Sequence, residues 1–487
     1  MILYKDLLKE SVFFLENNRS CSKHHVEHTG SNVYLLDFYS ALGKIDEAKK
    51  LITYLLGKIV VDDGAFVFYP GRLNQMNMSN NVIDTGSAVD AIARFAHTHR
   101  HDISAETHRE ITEALTRVVA TYLAKAAVSK PITNQRLWGL TGIASFIAYT
   151  GDRSYLPLLD VSLEKAFVDM TKDGFFRYYP QAETYGAFFG YDDMTTFYQS
   201  RHITFIRYAL SVTETSSEKY EQRLQKAERA LISMYRDNGT KDLRMECKRW
   251  YWLSAYEVAS HAFDLYALMH SVVAGHEVAF HNALYQVRLH FTDGYLHSST
   301  ESEVNFQCPI FWTAHLAWMT RITNIEELFN GSNELAPFSF RFLGSEVITD
   351  TSPGRRVLIN TRRRIRNSTV GLCENGLQAI RPIWNLRLPA LPPSLWFSVR
   401  ENLNHSWYAL RGLRIREAAT RALLMVRESV IMLLPRYTIP YGEVVNLQCT
   451  ETERGSVRIT VDVKPGTKYG STLPEIEQVL VILPKLS

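Results

Sequence analysis

The alternation of two kinds of helical stretch constrains this chain more than any other feature. Aromatic-rich, strongly apolar stretches begin near Asn32, Ile83, Gln135, Asp193, Tyr251 and Ile310, roughly 50 to 60 residues apart. Amphipathic stretches run between them. Ser104 to Ala127 places Ile111, Leu115, Val118, Val119 and Tyr122 on one face, and Ser217 to Arg236 does the same with Leu224, Ala227, Leu231 and Met234. A helix apolar on all sides is buried, and a one-sided helix lies outside it. Six such pairs predict an inner barrel of helices within an outer one, an (α/α)6 toroid over residues 1–335.

The connections entering the inner helices are polar and often long, such as Asp62 to Val82, Thr171 to Asp192 and Asp293 to Pro309. Those leaving them are shorter, such as Thr98 to Ile103 and Gly151 to Ser154. The long loops therefore collect at one end, where binding and chemistry on a rigid scaffold usually sit. Asp63-Gly64, Asp173-Gly174 and Asp293-Gly294 read as tight turns into short strands. After Leu335 short runs such as Val457–Val463, Leu395–Val399, Val430–Leu434 and Val479–Leu483 replace the helices. They predict an antiparallel β-sandwich over residues 336–487, joined by a linker from Thr323 to Pro337. The expected class is α+β multidomain.

Charge divides the chain at the same place. From Phe338 to Ser487 there are 18 Arg and 3 Lys against 12 acidic residues, a net of +9, and the remainder carries −6. Arginine suits planar anions, so the second region reads either as a solvated sheet face or as a contact for a polyanion. The Arg362-Arg363-Arg364-Arg366 cluster alone does not indicate nucleic acid. Five scattered cysteines with no CxxC pair argue against a disulfide framework and a structural zinc site. The mixed charged and apolar start is not a secretory signal, and no apolar run is long enough to span a membrane. A cytoplasmic location is expected, with neither nucleic acid nor membrane as partner.

The richest polar segment at the expected mouth is Asp192-Asp193-Met194-Thr195-Thr196-Phe197-Tyr198-Gln199-Ser200-Arg201-His202. On a helix Tyr198, Arg201 and His202 share one face. Arginine favours the phenolate and histidine exchanges protons near neutral pH, which suits general acid–base work. The competing reading is a core tyrosine beside an Arg201 ion pair with Asp192 or Asp193. Asn134, Gln135 and Arg136 open the third inner helix, where Thr133 or Asn134 would cap it or an Asn–Gln pair would bind a carboxylate. Arg249, Trp250, Tyr251, Tyr256 and His261 suit sugar rings bearing carboxylates, or else form a buried girdle with a core histidine. Asn81 precedes the second inner helix at the same mouth. The His24-His25-Val26-Glu27-His28 run carries potential metal ligands but lies in a polar loop. No phosphate-binding loop, dinucleotide fingerprint or nucleophile elbow is present.

A ring of helical hairpins followed by a β-sandwich resembles the polysaccharide lyases of the heparinase II/III and alginate-lyase type. The resemblance is one of architecture across most of the chain. It implies cleavage of a uronate-containing acidic polysaccharide or oligosaccharide by β-elimination, with no metal and no cofactor. It further implies that Asn134 and Arg201 neutralise the carboxylate, that Tyr198, His202 or a loop histidine takes the proton, and that Tyr198 protonates the leaving oxygen. Several such lyases carry Asn-His at the start of an inner helix, whereas Gln135 follows Asn134 here. An intracellular substrate would be capsule-like, of the Vi-antigen aminouronate kind, or an imported fragment. The alternatives are a toroidal glycoside hydrolase using Asp84 and Asp193, and a non-catalytic polysaccharide-binding protein.

Overall fold

A computed structural model describes residues 2–18, 20–21, 26–27, 32–59, 64–66, 68, 79–130, 132–168, 170–177, 195–241, 258, 260–297, 309–331, 334–344, 347–353, 355–360, 369–374, 377–382, 415, 419, 442–451, 457–465 and 477–483. Helix dominates them, and the strands form small antiparallel sheets. None of these helices is long and apolar enough to cross a membrane.

The first region contains α1 (Tyr4–Asn17), the short pair β1 (Ser20–Cys21) and β2 (Val26–Glu27), α2 (Leu35–Ala41), α3 (Ile45–Leu56), α4 (Ser79–Thr98) and α5 (Ala105–Val118). A π turn over Val119–Leu123 joins α5 to α6 (Ala124–Ser129). There follow α7 (Thr133–Thr150), α8 (Leu156–Val168), α9 (Thr196–Val212), α10 (Glu218–Ile232), α11 (His261–Met269) and α12 (His276–His290). The hairpin β3 (Phe291–Thr292) and β4 (Tyr295–Leu296) leads to α13 (Pro309–His315), a 3₁₀ extension over Leu316–Arg321, and α14 (Ile325–Gly331).

Helix α7 shows why the apolar stretches lie inside: every residue but Ala148 and Thr150 is buried. The amphipathic helices bury one face, with Ile111, Leu115 and Val118 on α5 and Leu224, Ala227 and Leu231 on α10. Helix α2 packs on α4, α4 on α7, α7 on α9, α9 on α11, α11 on the 3₁₀ extension, and the extension on α2. The neighbour relations thus close on themselves. Outside them α3 packs on α2, α5 on α4, α8 on α7, α10 on α9 and α12 on α11.

The inner elements run the same way. Trp138 meets Phe205 and Ser145 meets Tyr208, so α7 and α9 ascend together. Trp318 meets Phe205, and Arg321 reaches Asp37 and Asp90, which sets the direction of the 3₁₀ extension, α2 and α4. A side-chain layer of Trp138, Phe205, Phe263 and Trp318 separates the first turns of these elements from their last.

Helices α4 and α7 approach so closely that their backbones touch. A Cβ on Gly86 would lie 2.3 Å from the Trp138 carbonyl oxygen, and one on Gly142 would lie 2.7 Å from that of Gly86. Of the Asp-Gly turns, Asp293 and Gly294 both take positive φ and close the β3–β4 hairpin. Gly64 and Gly174 also take positive φ, and Ile59 pairs with Phe66 around the first.

The expected linker is partly helical. Helix α14 occupies its centre because Phe329 is buried and Asn330 accepts a hydrogen bond from the Tyr4 amide at 2.9 Å. Asn282 then clasps the chain at Ala336, donating to its carbonyl at 3.1 Å and accepting from its amide at 2.9 Å. Beyond it, β5 (Phe340–Leu343), β6 (Val347–Ser352), β7 (Arg355–Asn360), β8 (Thr369–Glu374) and β9 (Leu377–Pro382) pair in order. A second sheet comprises β10 (Gly442–Glu451), β11 (Val457–Pro465) and β12 (Glu477–Leu483). The Val457–Val463 and Val479–Leu483 runs are strands as expected, while Leu395–Val399 and Val430–Leu434 lie outside the described residues. The first strands rest on the helices: Phe342 meets Phe175 edge-on, and Phe338 packs on Tyr235.

The α4–α7 contact gives a direct test. Gly86→Ala is expected to cost about 1–3 kcal/mol in denaturant unfolding, because backbone rather than a side chain must move. Gly331→Ala, with nothing within 4 Å of its Cβ, is the control and is expected to stay within about 0.5 kcal/mol. Equal effects would show that the two helices lie further apart.

Candidate active site

Helices α7 and α9 begin side by side. Neither has a side-chain cap: Ile132 and Thr195 hold the cap positions, and neither provides a capping hydrogen bond. The capping role open to Thr133 or Asn134 is therefore not used. Asn134 and Gln135 are buried, and among the described residues neither side-chain oxygen has a hydrogen-bond partner. Arg136 is also buried, and donates to the Lys130 carbonyl at 3.1 Å.

One turn into α9 stand the three residues that share a face. Tyr198 is half-buried, and its ring stacks on His202 with centroids 6.2 Å apart. The Arg201 guanidinium, 2% exposed, lies among aromatic faces. Its carbon is 4.2 Å from the Phe197 centroid, 4.9 Å from Phe263, 5.3 Å from Tyr198 and 5.7 Å from Phe311. Helices α9, α11 and α13 thus combine to orient it. Cations over ring faces are attracted by the ring quadrupole, more strongly where water is excluded.

His202 is fully buried, edge-on to Phe176 at 5.0 Å, and among the described residues neither ring nitrogen has a hydrogen-bond partner. Burial first, then the charges of Arg136 and Arg201, push its pKa well below the usual 6.5. It is neutral at pH 7, ready to accept or donate one hydrogen bond, and a poor base in these buried, positively charged surroundings. An anion bound beside the arginines would offset their share of this effect and raise its basicity.

Gln199 fixes the approach to this cluster. It accepts from the Phe176 amide at 2.9 Å and donates to the carbonyls of Gly174 at 2.9 Å and Ala227 at 3.0 Å. The Asp173-Gly174 turn is thereby tied to both α9 and α10.

His261 is placed differently from the cleft rim that its sequence context suggests. It is fully buried, with Nδ1 3.1 Å from Asp264 Oδ2, and Lys241 Nζ lies 2.5 Å from the same oxygen. Burial acts to raise the Asp264 pKa, but Lys241 and His261 outweigh it and hold the carboxyl below its ordinary range. The group packs against Tyr235 between inner and outer helices, a position that ties the layers together. Asp84 is buried on α4. Asn81 lies in the first turn of α4, and its side chain is outside the described residues, as are Arg249, Trp250, Tyr251, Tyr256, Asp193, the Arg362–Arg364 cluster and the histidines near Val26.

Sequence reasoning passed over one ionic group at the far end of the inner elements. Asp37 on α2 and Asp90 on α4 bind Arg321, at 3.1 Å and 2.8 Å, and Arg94 pairs with Asp37. Tyr208 and Ser145 both donate to Asp90, at 2.8 Å and 2.6 Å. Burial works against the Arg321 charge, yet Asp90 and Asp37 prevail and raise its pKa. The available signal was charge inside otherwise apolar helices.

The depressed His202 pKa has a defined sign. The unfolded chain takes up a proton below about pH 6.5 that the folded chain refuses. Stability attributable to this group is therefore complete above that pH and declines below it, by at most about 1.4 kcal/mol per pH unit. His202→Gln is expected to flatten the acid limb when unfolding is measured at about pH 5 and about pH 7.5. An unchanged limb would mean that the fold holds the imidazolium. No known family pattern matches the chain, and no curated protein matches it.

Proposed function

We propose that this protein is a polysaccharide lyase that cleaves a uronate-containing acidic polysaccharide by β-elimination. The observation that carries the proposal is the convergence of Asn134, Gln135, Tyr198, Arg201 and His202 at the first turns of two adjacent inner helices, with the Arg136 charge beside His202. The closed neighbour relations of the inner elements support reading the helical region as an (α/α)6 toroid, and the two antiparallel sheets support reading the remainder as a β-sandwich.

In this scheme the substrate carboxylate lies against Arg201 and the amides of Asn134 and Gln135. Removing the proton beside a carboxylate builds a dianion, and donors already in place stabilise it without reorganisation. Tyr198 acts as the phenolate that the nearby Arg201 cation favours and takes the proton, becoming the hydroxyl, because buried His202 beside two guanidinium groups is the weaker base. The tyrosine hydroxyl then returns a proton to the leaving sugar oxygen. His202 serves as a neutral hydrogen-bonding partner, and its basicity rises as the bound carboxylate offsets the arginines.

The test is ultraviolet absorbance during incubation with a panel of uronate polymers, since elimination leaves an unsaturated, absorbing end. Tyr198→Phe is expected to lower kcat by about 10²–10⁴-fold with little change in KM. A folded Tyr198→Phe enzyme with near-native turnover would remove the tyrosine from proton transfer. New reducing ends without absorbance would indicate a hydrolase, with Asp84 as a candidate carboxylate. Binding without either product would indicate a non-catalytic polysaccharide-binding protein.

A further inference from the structure

At the opposite end of the inner helices, three side chains form a hydrogen-bonded relay. Ser40, in the last turn of α2, has its Oγ 2.7 Å from His99 Nε2. His99, just after α4, has its Nδ1 3.0 Å from Asp102 Oδ2. The Asp102 side chain is 54% exposed and that of His99 is 14% exposed. Order and atoms match what an activated nucleophile requires: a hydroxyl against one ring nitrogen and a carboxylate fixing the tautomer through the other.

The relay is held in place. The His99 ring packs against Phe95 with centroids 4.7 Å apart. The connection after it is tied down by the Asp102 amide on the His99 carbonyl, by His108 Nε2 against the Arg100 carbonyl at 2.9 Å, and by buried Ile103. Ser104 caps α5 by accepting from the Thr107 amide at 3.1 Å. A base fixed by its surroundings loses less entropy in reaching the reactive geometry.

We propose that Ser40, His99 and Asp102 form a second, nucleophilic site that takes the acyl group from small activated carboxylic esters. Ser40 Oγ bonds to the acyl carbon while its proton passes to His99 Nε2. The histidine gives that proton to the leaving alcohol oxygen as the ester C–O bond breaks. Water, deprotonated by the same nitrogen, then attacks the acyl carbon, releasing the carboxylic acid and returning the proton to Ser40. Asp102 is the positioning residue for the imidazole.

The surroundings limit which esters react. The Leu42, Gly43 and Lys44 amides already donate to the carbonyls of Phe38, Ser40 and Tyr39. They are not available to a developing oxyanion, and one such donor is typically worth about 10²–10³-fold in rate. Esters with good leaving groups are therefore the substrates, and turnover is slow.

The experiment uses the full chain and a fluorophosphonate probe, followed by intact mass and peptide mapping. The Oγ–P bond forms, fluoride leaves, and the proton moves to His99. One adduct on Ser40 is expected, absent in Ser40→Ala, with labelling slowed about 10²-fold or more in His99→Gln. Asp102→Asn is expected to slow labelling less and to shift its pH profile. No adduct in the native chain, an adduct elsewhere only, or native labelling rates in His99→Gln would each overturn the proposal. The readout needs no uronate substrate, so it stands or falls separately from the lyase assignment.

Discussion

The helical region is organised around a charge problem solved in its interior. Two aspartates and two arginines, Asp37, Asp90, Arg94 and Arg321, come from α2, α4 and the 3₁₀ extension and balance one another where little water reaches. Removing one partner from such a group leaves a buried charge uncompensated, at a typical cost of about 3–5 kcal/mol. Elements separated by more than 200 residues in sequence, as Asp90 and Arg321 are, must therefore assemble together. The group also sets polarity. One end is committed to ion pairs and the middle is filled by Trp138, Phe205, Phe263 and Trp318, while the first turns of α7 and α9 carry Asn134, Gln135 and His202, whose side chains have unmet hydrogen-bonding capacity among the described residues.

That capacity has a shared electrostatic sense. The helices that begin at this end point their amide-rich termini the same way, and Arg136 and Arg201 add full charges. An anion entering there meets positive potential from several directions before it makes a specific contact. The neutral state of His202 follows from burial first and from the same field second, so its proton affinity depends in part on what occupies the site. The ionic group of Lys241, Asp264 and His261 differs, because its charges are paired with one another.

Much of the helical arrangement was legible because burial leaves a plain mark. The stretches beginning at Asn32, Gln135 and Ile310 lack a polar face, and the structure places their helices inside. The face shared by Tyr198, Arg201 and His202 was legible from helical spacing alone. Pairings between distant helices were not. Nothing local links Asp37 to Arg321, or shows that Asp264 and Lys241 enclose His261 in the core. The relay of Ser40, His99 and Asp102 was hidden similarly, since it depends on the ends of α2 and α4 meeting. The stretch beginning at Tyr251 contains α11, which spans His261–Met269, while residues 251–257 lie outside the described residues.

The turn at Asp173 and the first strand hairpin share one small space. Asp173 Oδ2 accepts the Val347 amide at 2.8 Å, and a Cβ on Gly344 would lie 2.5 Å from that oxygen. A carboxylate at 173 and a side chain at 344 therefore exclude each other. Gly344 is confined to glycine on two counts, because a Cβ there would also lie 2.5 Å from the Val347 carbonyl oxygen, so losing the aspartate alone does not lift the restriction. Position 344 should therefore stay glycine even in descendants whose residue 173 changes, which leaves an evolutionary trace of how tightly the β5–β6 turn is drawn in.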